Sequence, residues 1–154
     1  TTPLGRSRLI AAKIASVAVI EVVQFAVLVP VAYLLGWSPS TTNWFAAIGA
    51  TLLGTVAFAG IGLVFAGRLR GELNLAALNG LYLVLLLLGG MVIPFAKLPS
   101  AIRAVAHALP SGALADVLRE SLGGNGTQVA TSWLVLGIWA AVSPLLAAKL
   151  FRWD

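Results

Sequence analysis

The sequence predicts an all-α, polytopic membrane fold, and three observations predict it. Hydrophobic residues make up 60% of the 154 residues and charged ones only 10%, with a mean hydropathy of +0.99. A water-soluble domain of this length cannot hide so much apolar surface. Four apolar segments are long enough, at ~20 residues and about 1.5 Å of rise each, to cross ~30 Å of hydrocarbon. The third observation is a break. The run LYLVLLLLGGMVI, from Leu81 to Ile93, is interrupted by Gly89, Gly90 and Pro94, and two short proline-punctuated segments follow where an ordinary loop would be expected.

Taken in order, residues 1–13 form a basic leader, and spans follow at 14–35, 44–66, 74–93 and 133–150. Pro30 predicts a kink in the first span. Tyr33 and Trp37 lie at its far interface, where amphipathic rings settle. The second span is entered through the turn-rich Gly36-Trp37-Ser38-Pro39-Ser40. It carries two stripes of small residues, Ala46, Ala50, Gly54 and Ala57 on one and Ala59, Gly62 and Ala66 on the other. Such stripes let helix backbones approach closely, which matters because lipid tails supply no hydrophobic drive between helices. The basic lead and apolar follow-on are not a secretory signal. The apolar part is too long, and no small-x-small cleavage site precedes Glu21 and Gln24.

Charge orients the bundle. Arg6, Arg8, Lys13, Arg68, Arg70, Lys149 and Arg152 make seven cations on one side, against Lys97, Arg103 and Arg119, three, on the other. The positive-inside rule therefore places both termini and the Arg68–Glu72 loop in the cytoplasm, with the long connection facing outward. The net charge of +5 reflects these scattered bases at span ends and does not predict nucleic-acid binding. With no cysteine, disulfides, thiolate metal sites and thiol nucleophiles are excluded together.

The outward segment, residues 94–122, is divided by Pro94, Pro99 and Pro110 into pieces too short to span. Roughly 99–109 places Ile102, Val105, Ala106 and Leu109 on one face. Roughly 111–122 does the same with Leu114, Val117, Leu118 and Leu122, against Asp116, Arg119 and Glu120. Ten helical residues rise ~15 Å, half a bilayer, so a re-entrant hairpin is the expectation, with an amphipathic pair lying flat on the surface as its alternative. Charge pairing along a surface helix accounts for Asp116, Arg119 and Glu120. Gly123-Gly124-Asn125-Gly126 makes the turn into the last span. His107 stands alone, without the partners that metal binding or acid–base chemistry requires.

Thr2-Pro3-Leu4 with Arg6 and Arg8 ahead of a span, Gly89-Gly90-x-x-x-Pro94, Leu98-Pro99, Leu109-Pro110 and Leu118-Arg119 occur in an order and spacing that cover essentially the whole chain. This set resembles the C-terminal two-thirds of a permease subunit of the type-2 ATP-binding-cassette exporters. The resemblance implies a six-span permease of which the third to sixth spans are visible. Two earlier spans and an amphipathic leading helix would precede them, in keeping with the absence of an initiator Met. It also implies a second permease, as a homo- or heterodimer, an ATPase subunit that holds ATP and Mg, and a membrane lipid setting. The expected task is export of a hydrophobic or amphipathic compound, such as a drug, antibiotic, lipid or glycan. The Ala, Gly, Leu and Arg bias is that of a high-GC bacterium, and the location implied is its cell membrane. Where the family commonly has an aromatic after the second proline of the outward loop, this chain has Ser111-Gly112-Ala113.

The chain has no G-x-x-x-x-G-K-[ST] phosphate cradle, and its only lysines are Lys13, Lys97 and Lys149. It is therefore expected to be no enzyme, with ATP hydrolysis in a partner. The resemblance assigns ATPase coupling to Thr2, Pro3, Arg6 and Arg8; binding of these bases to anionic headgroups is the alternative. Glu21, with Gln24 at i+3, lies inside the first span, where a carboxylate costs roughly 2.5–3.5 kcal/mol and must face the bundle or a wet cavity. Glu21, Gln24, Asn79 and Tyr82 are the candidates for the substrate path, with hydrogen-bonded structural roles as the alternative. Gly90, Pro94, Pro99 and Pro110 are the candidate external gate. A passive channel or assembly factor, which needs no ATPase, is the rival function. A membrane-embedded enzyme is disfavoured because no His, Asp and Glu converge.

Overall fold

The structure is a computed structural model and describes residues 5–150. Its order is α1 (Arg6–Leu34), α2 (Trp44–Arg68), α3 (Gly71–Leu88), a single 3₁₀ turn (Phe95–Lys97), α4 (Ser100–Ala108), α5 (Pro110–Ser121) and α6 (Val129–Leu150). Four helices are long and apolar enough to cross a membrane: Ser7–Leu34, Trp44–Arg68, Gly71–Leu88 and Val129–Leu150. No strand forms among the described residues.

No Pro or Gly interrupts the chain from Arg6 to Val29, so nothing stops the helical ladder where a separate leader helix is expected. The described part of the basic leader is instead the first turns of α1. At 29 residues this helix is about 43 Å long, so roughly 12 Å of it, Arg6 to Lys13, projects beyond a ~30 Å hydrocarbon core. Only one stripe of α1 is half-buried along its span, Ile14, Ala18, Glu21, Phe25, Val29 and Ala32, and it packs on α2. Pro30 lies within the helix, as expected.

The closest pairing is α2 on α6, with α5 packed against both. Of the two small-residue stripes, the one containing Ala50, Gly54 and Ala57 is buried, extended by Ala47, Thr55 and Gly60. The crossing point is Gly60: a Cβ there would stand 2.4 Å from Ser143 Oγ and 2.6 Å from the backbone N of Pro144. The Ser143 hydroxyl shares its one hydrogen between two acceptors, Trp139 O of its own helix (2.7 Å) and Ala57 O across the interface (2.8 Å). The second stripe makes no such approach. Nothing lies within 4 Å of where a Gly62 Cβ would be. The core above this crossing is small, Ala50, Ala113, Val117 and Leu136, flanked by Leu53, Leu114 and Trp133, as expected where backbone proximity replaces hydrophobic drive.

α3 ends at Leu88, earlier than the expected Ile93, because Gly89 and Gly90 turn the chain there. Gly90 has φ +73°, and a Cβ on it would stand 2.7 Å from the Phe95 ring; no L side chain suits both the backbone and the space. Phe95 and Leu98 then bury themselves against Ala106, Leu88 and Ile93.

Leu109 alone forms the corner between α4 and α5, ending one helix and starting the next in extended conformation (φ −82°, ψ 147°). Pro110 favours this, since the residue before a proline is biased away from the helical region while proline itself suits the first helical turn. Ala108, just before the corner, accepts a hydrogen bond from Trp139 Nε1 at 2.9 Å. Trp139 lies ten residues into α6, ~15 Å along its axis and half a bilayer deep. Pro110, Ser111, Gly112, Ala113, Ala115, Asp116 and Val117 are all buried. The helices thus form a re-entrant hairpin whose second arm belongs to the bundle core.

Candidate functional site: the re-entrant hairpin and its cavities

Both arms of the hairpin are tied to neighbouring elements, but by different chemistry. In the second arm, the Asp116 side chain is fully buried. Its Oδ1 accepts from Thr127 N (2.8 Å) and Thr127 Oγ1 (3.1 Å), and its Oδ2 accepts from Gln128 N and Ser132 Oγ, both at 3.0 Å. Burial pushes this carboxyl up, yet the bonds from Thr127, Gln128 and Ser132 together outweigh it and hold the group below the usual carboxylate range. An ionised carboxylate at the start of α6 also meets the positive end of that helix.

Charge pairing along a surface helix therefore fails as the account of Asp116, Arg119 and Glu120. Asp116 is inside and clamps α6. Arg119 Nη2 donates to Gly90 O at 2.9 Å, joining α5 to the end of α3, and Glu120 Oε2 accepts from Gly126 N at 2.8 Å. The rim closes further where Asn43 N donates to Ser121 O at 2.7 Å.

The first arm is held more lightly. Of α4's residues only Ala106 is buried. Arg103 Nη2 donates to Ala96 O (3.1 Å) and Leu98 O (2.9 Å), and the His107 ring stands 4.3 Å from that of Phe95. The small triplet after Pro110 has a direct cause: a Cβ on Gly112 would lie 2.0 Å from Ala106 O, so the arms could not close around a larger residue. Among the gate candidates, Gly90 meets Phe95, Pro94 precedes the 3₁₀ turn, Pro99 caps α4 and Pro110 begins α5. All four serve one structure.

The substrate-path candidates do not converge. Glu21 accepts a hydrogen bond from the buried Thr55 hydroxyl, linking α1 to α2. Gln24 lines an apolar cavity of about 530 Å³ with Phe25, Val29, Trp37 and Leu122. Asn79 and Tyr82 are exposed on α3. Of the coupling candidates, Thr2 and Pro3 lie outside the described residues, Arg6 begins α1, and Arg8 is exposed in its first turn.

Sequence reasoning took Asp116 for a surface charge and passed over Trp139. A signal for the first was present. Gln128, which precedes α6, is not a favoured N-cap residue, so another group had to meet the donors at that helix start.

The described residues form a bundle of four apolar, membrane-length helices with a proline-cornered helical hairpin packed into it. Residues 1–122 match the family described as ABC-2 type transporter, and the chain belongs to that family. Comparison with curated proteins and with solved structures gives no significant match. The chain is thus a transporter membrane component, of a family whose permeases normally work with an ATPase partner.

Proposed function

We propose that this chain is a permease subunit that exports a hydrophobic or amphipathic compound from a bacterial cell. A partner ATPase would hold ATP and Mg, and a second permease would complete the path. The observation that carries this reading is the hairpin: a corner half a bilayer deep, with one arm fixed in the core and the other lightly held. The 530 Å³ apolar cavity beside Leu122 is of the size that holds a small apolar ligand. In this reading the hairpin faces outward and closes the path. The projecting basic start of α1 receives the push of ATP-driven closure, and α4 moves while α5 stays.

Reconstitution tests it. Proteoliposomes holding the permease with its ATPase should move a fluorescent amphiphile only when ATP is supplied, and charge reversal at Arg8 should lower transport-coupled hydrolysis without loss of insertion. Equal movement without the ATPase would favour the passive channel.

A further inference from the structure

A groove of about 440 Å³ lies between α4 and α6, apart from the cavity on α1. Its polar lining is Ser100, Arg103, His107, Gln128 and Thr131, and no carboxylate lines it. Every one of these side chains offers a hydrogen-bond donor. Arg103 is already oriented, because two backbone carbonyls hold its Nη2 while its Nε and Nη1 donors have no partner among the described residues. Those carbonyls are neutral, so the guanidinium charge is uncompensated. His107 follows at i+4 on the same face, and its Nδ1 is buried without a partner.

The groove also carries an apolar lining. Ser100 opens α4, and Gln128 and Thr131 lie at the start of α6, so these three donors stand near helix ends, toward the headgroup level of a bilayer. Arg103 follows one turn along α4, and farther along the lining is Ala104, His107 and Ala108, with Val135 on α6.

We propose that this groove binds an anionic membrane lipid, with its phosphate on Arg103 and His107 and an acyl chain along Ala104, Ala108 and Val135. A guanidinium held in place by backbone carbonyls, with its Nε and Nη1 donors still open, meets a phosphate with its charge and directed single hydrogen bonds, where an ammonium offers only a point charge on a flexible stem. The site is separate from the proposed substrate path. Because it bridges the lightly held arm of the hairpin to α6, a bound lipid fastens α4 to the bundle.

The test is native mass spectrometry of the protein released from nanodiscs containing phosphatidylglycerol or only phosphatidylcholine, with dissociation constants from titration. Retention of phosphatidylglycerol over phosphatidylcholine is expected. Arg103→Gln should weaken it about tenfold, the effect of losing a charge-assisted contact, and Arg103→Lys should restore only part. His107→Gln removes no hydrogen bond, though it gives up the ring contact with Phe95; it should weaken phosphatidylglycerol retention while thermal unfolding in phosphatidylcholine nanodiscs, read alongside, stays close to that of the parent. Lys97→Gln, outside the lining, should change nothing. Equal loss with Lys97→Gln would mean diffuse surface attraction and overturn the site. Displacement of the lipid by millimolar inorganic phosphate would mark a free-anion site and overturn the lipid assignment.

Discussion

Asp116 should be the most sensitive polar position in the described chain. Replacement by Ala leaves two backbone N–H groups and two hydroxyls at the start of α6 without their acceptor. Each charge-assisted bond contributes about 1.5–3 kcal/mol, partly offset by the relief of a buried carboxylate. The expected net loss for Asp116→Ala is about 3–5 kcal/mol, and for Asp116→Asn, which keeps one accepting oxygen, about 2–3 kcal/mol. Glu120→Ala is the control. Its carboxylate is exposed and accepts a single bond from Gly126 N, so its loss should stay below about 1 kcal/mol. Thermal unfolding in detergent, read with proteolysis of the Gly123–Gly126 turn, measures all three. The sign of the pH effect follows from the lowered carboxyl. Its stabilisation is complete above the ordinary carboxylate value of about 3.9 and is lost as pH falls through the lower folded value. Asp116→Asn should abolish that acid-side loss. If Asp116→Ala and Glu120→Ala prove equally mild, the clamp does not hold α6.

Gly60→Ala should destabilise by about 1–3 kcal/mol through overpacking against Ser143 and Pro144, whereas Gly62→Ala, with open space around it, should be neutral or stabilise by up to about 1 kcal/mol; thermal unfolding distinguishes them. Trp139→Phe keeps the ring but removes the donor to Ala108 O, and hydrogen exchange should rise in Ser100–Ala108 while Pro110–Ser121 stays protected. Single cysteines at Thr42, Arg70 and Asn125, probed in intact cells with an impermeant maleimide, should label at Thr42 and Asn125 and not at Arg70; the reverse pattern would invert the orientation. An oxidative disulfide between cysteines at Gly54 and Leu114, positions that already touch, should leave export intact, whereas a bifunctional maleimide joining Ala104 to Val135 across the groove should stop it.

Apolar length and proline placement made most of the fold legible. A corner is favoured at Leu109-Pro110 and a turn at Gly89-Gly90 by local chemistry, although Pro30 and Pro144 are accommodated inside α1 and α6. What stayed hidden depends on contacts between distant segments. Either small-residue stripe of α2 is a fit surface for another helix, and only the position of Ser143 and Pro144 on α6 selects the one with Gly60. Asp116 read as a surface charge because its neighbours Arg119 and Glu120 are polar, while its partners lie across the turn at Thr127, Gln128 and Ser132. For Glu21 the sequence left two roles open, and the bond from Thr55 supplies a structural one.

The two arms of the hairpin look alike in sequence but not in energy. Opening a path by moving α5 would strip Asp116 of its donors, part Arg119 from Gly90 and uncover the packing of Ala113 and Val117 on α2 and α6. With several kcal/mol in the Asp116 clamp alone, such a motion would threaten the fold itself. Moving α4 breaks far less: the Trp139 bond to Ala108, the contact of His107 with Phe95 and the seat of Ala106. Extended residues already stand at both ends of α4, Pro99 (ψ 149°) and Leu109 (ψ 147°), where small dihedral changes swing a nine-residue helix without unwinding it. Any gating by this hairpin is therefore carried by its first arm, with the buried second arm as the fixed wall against which it closes.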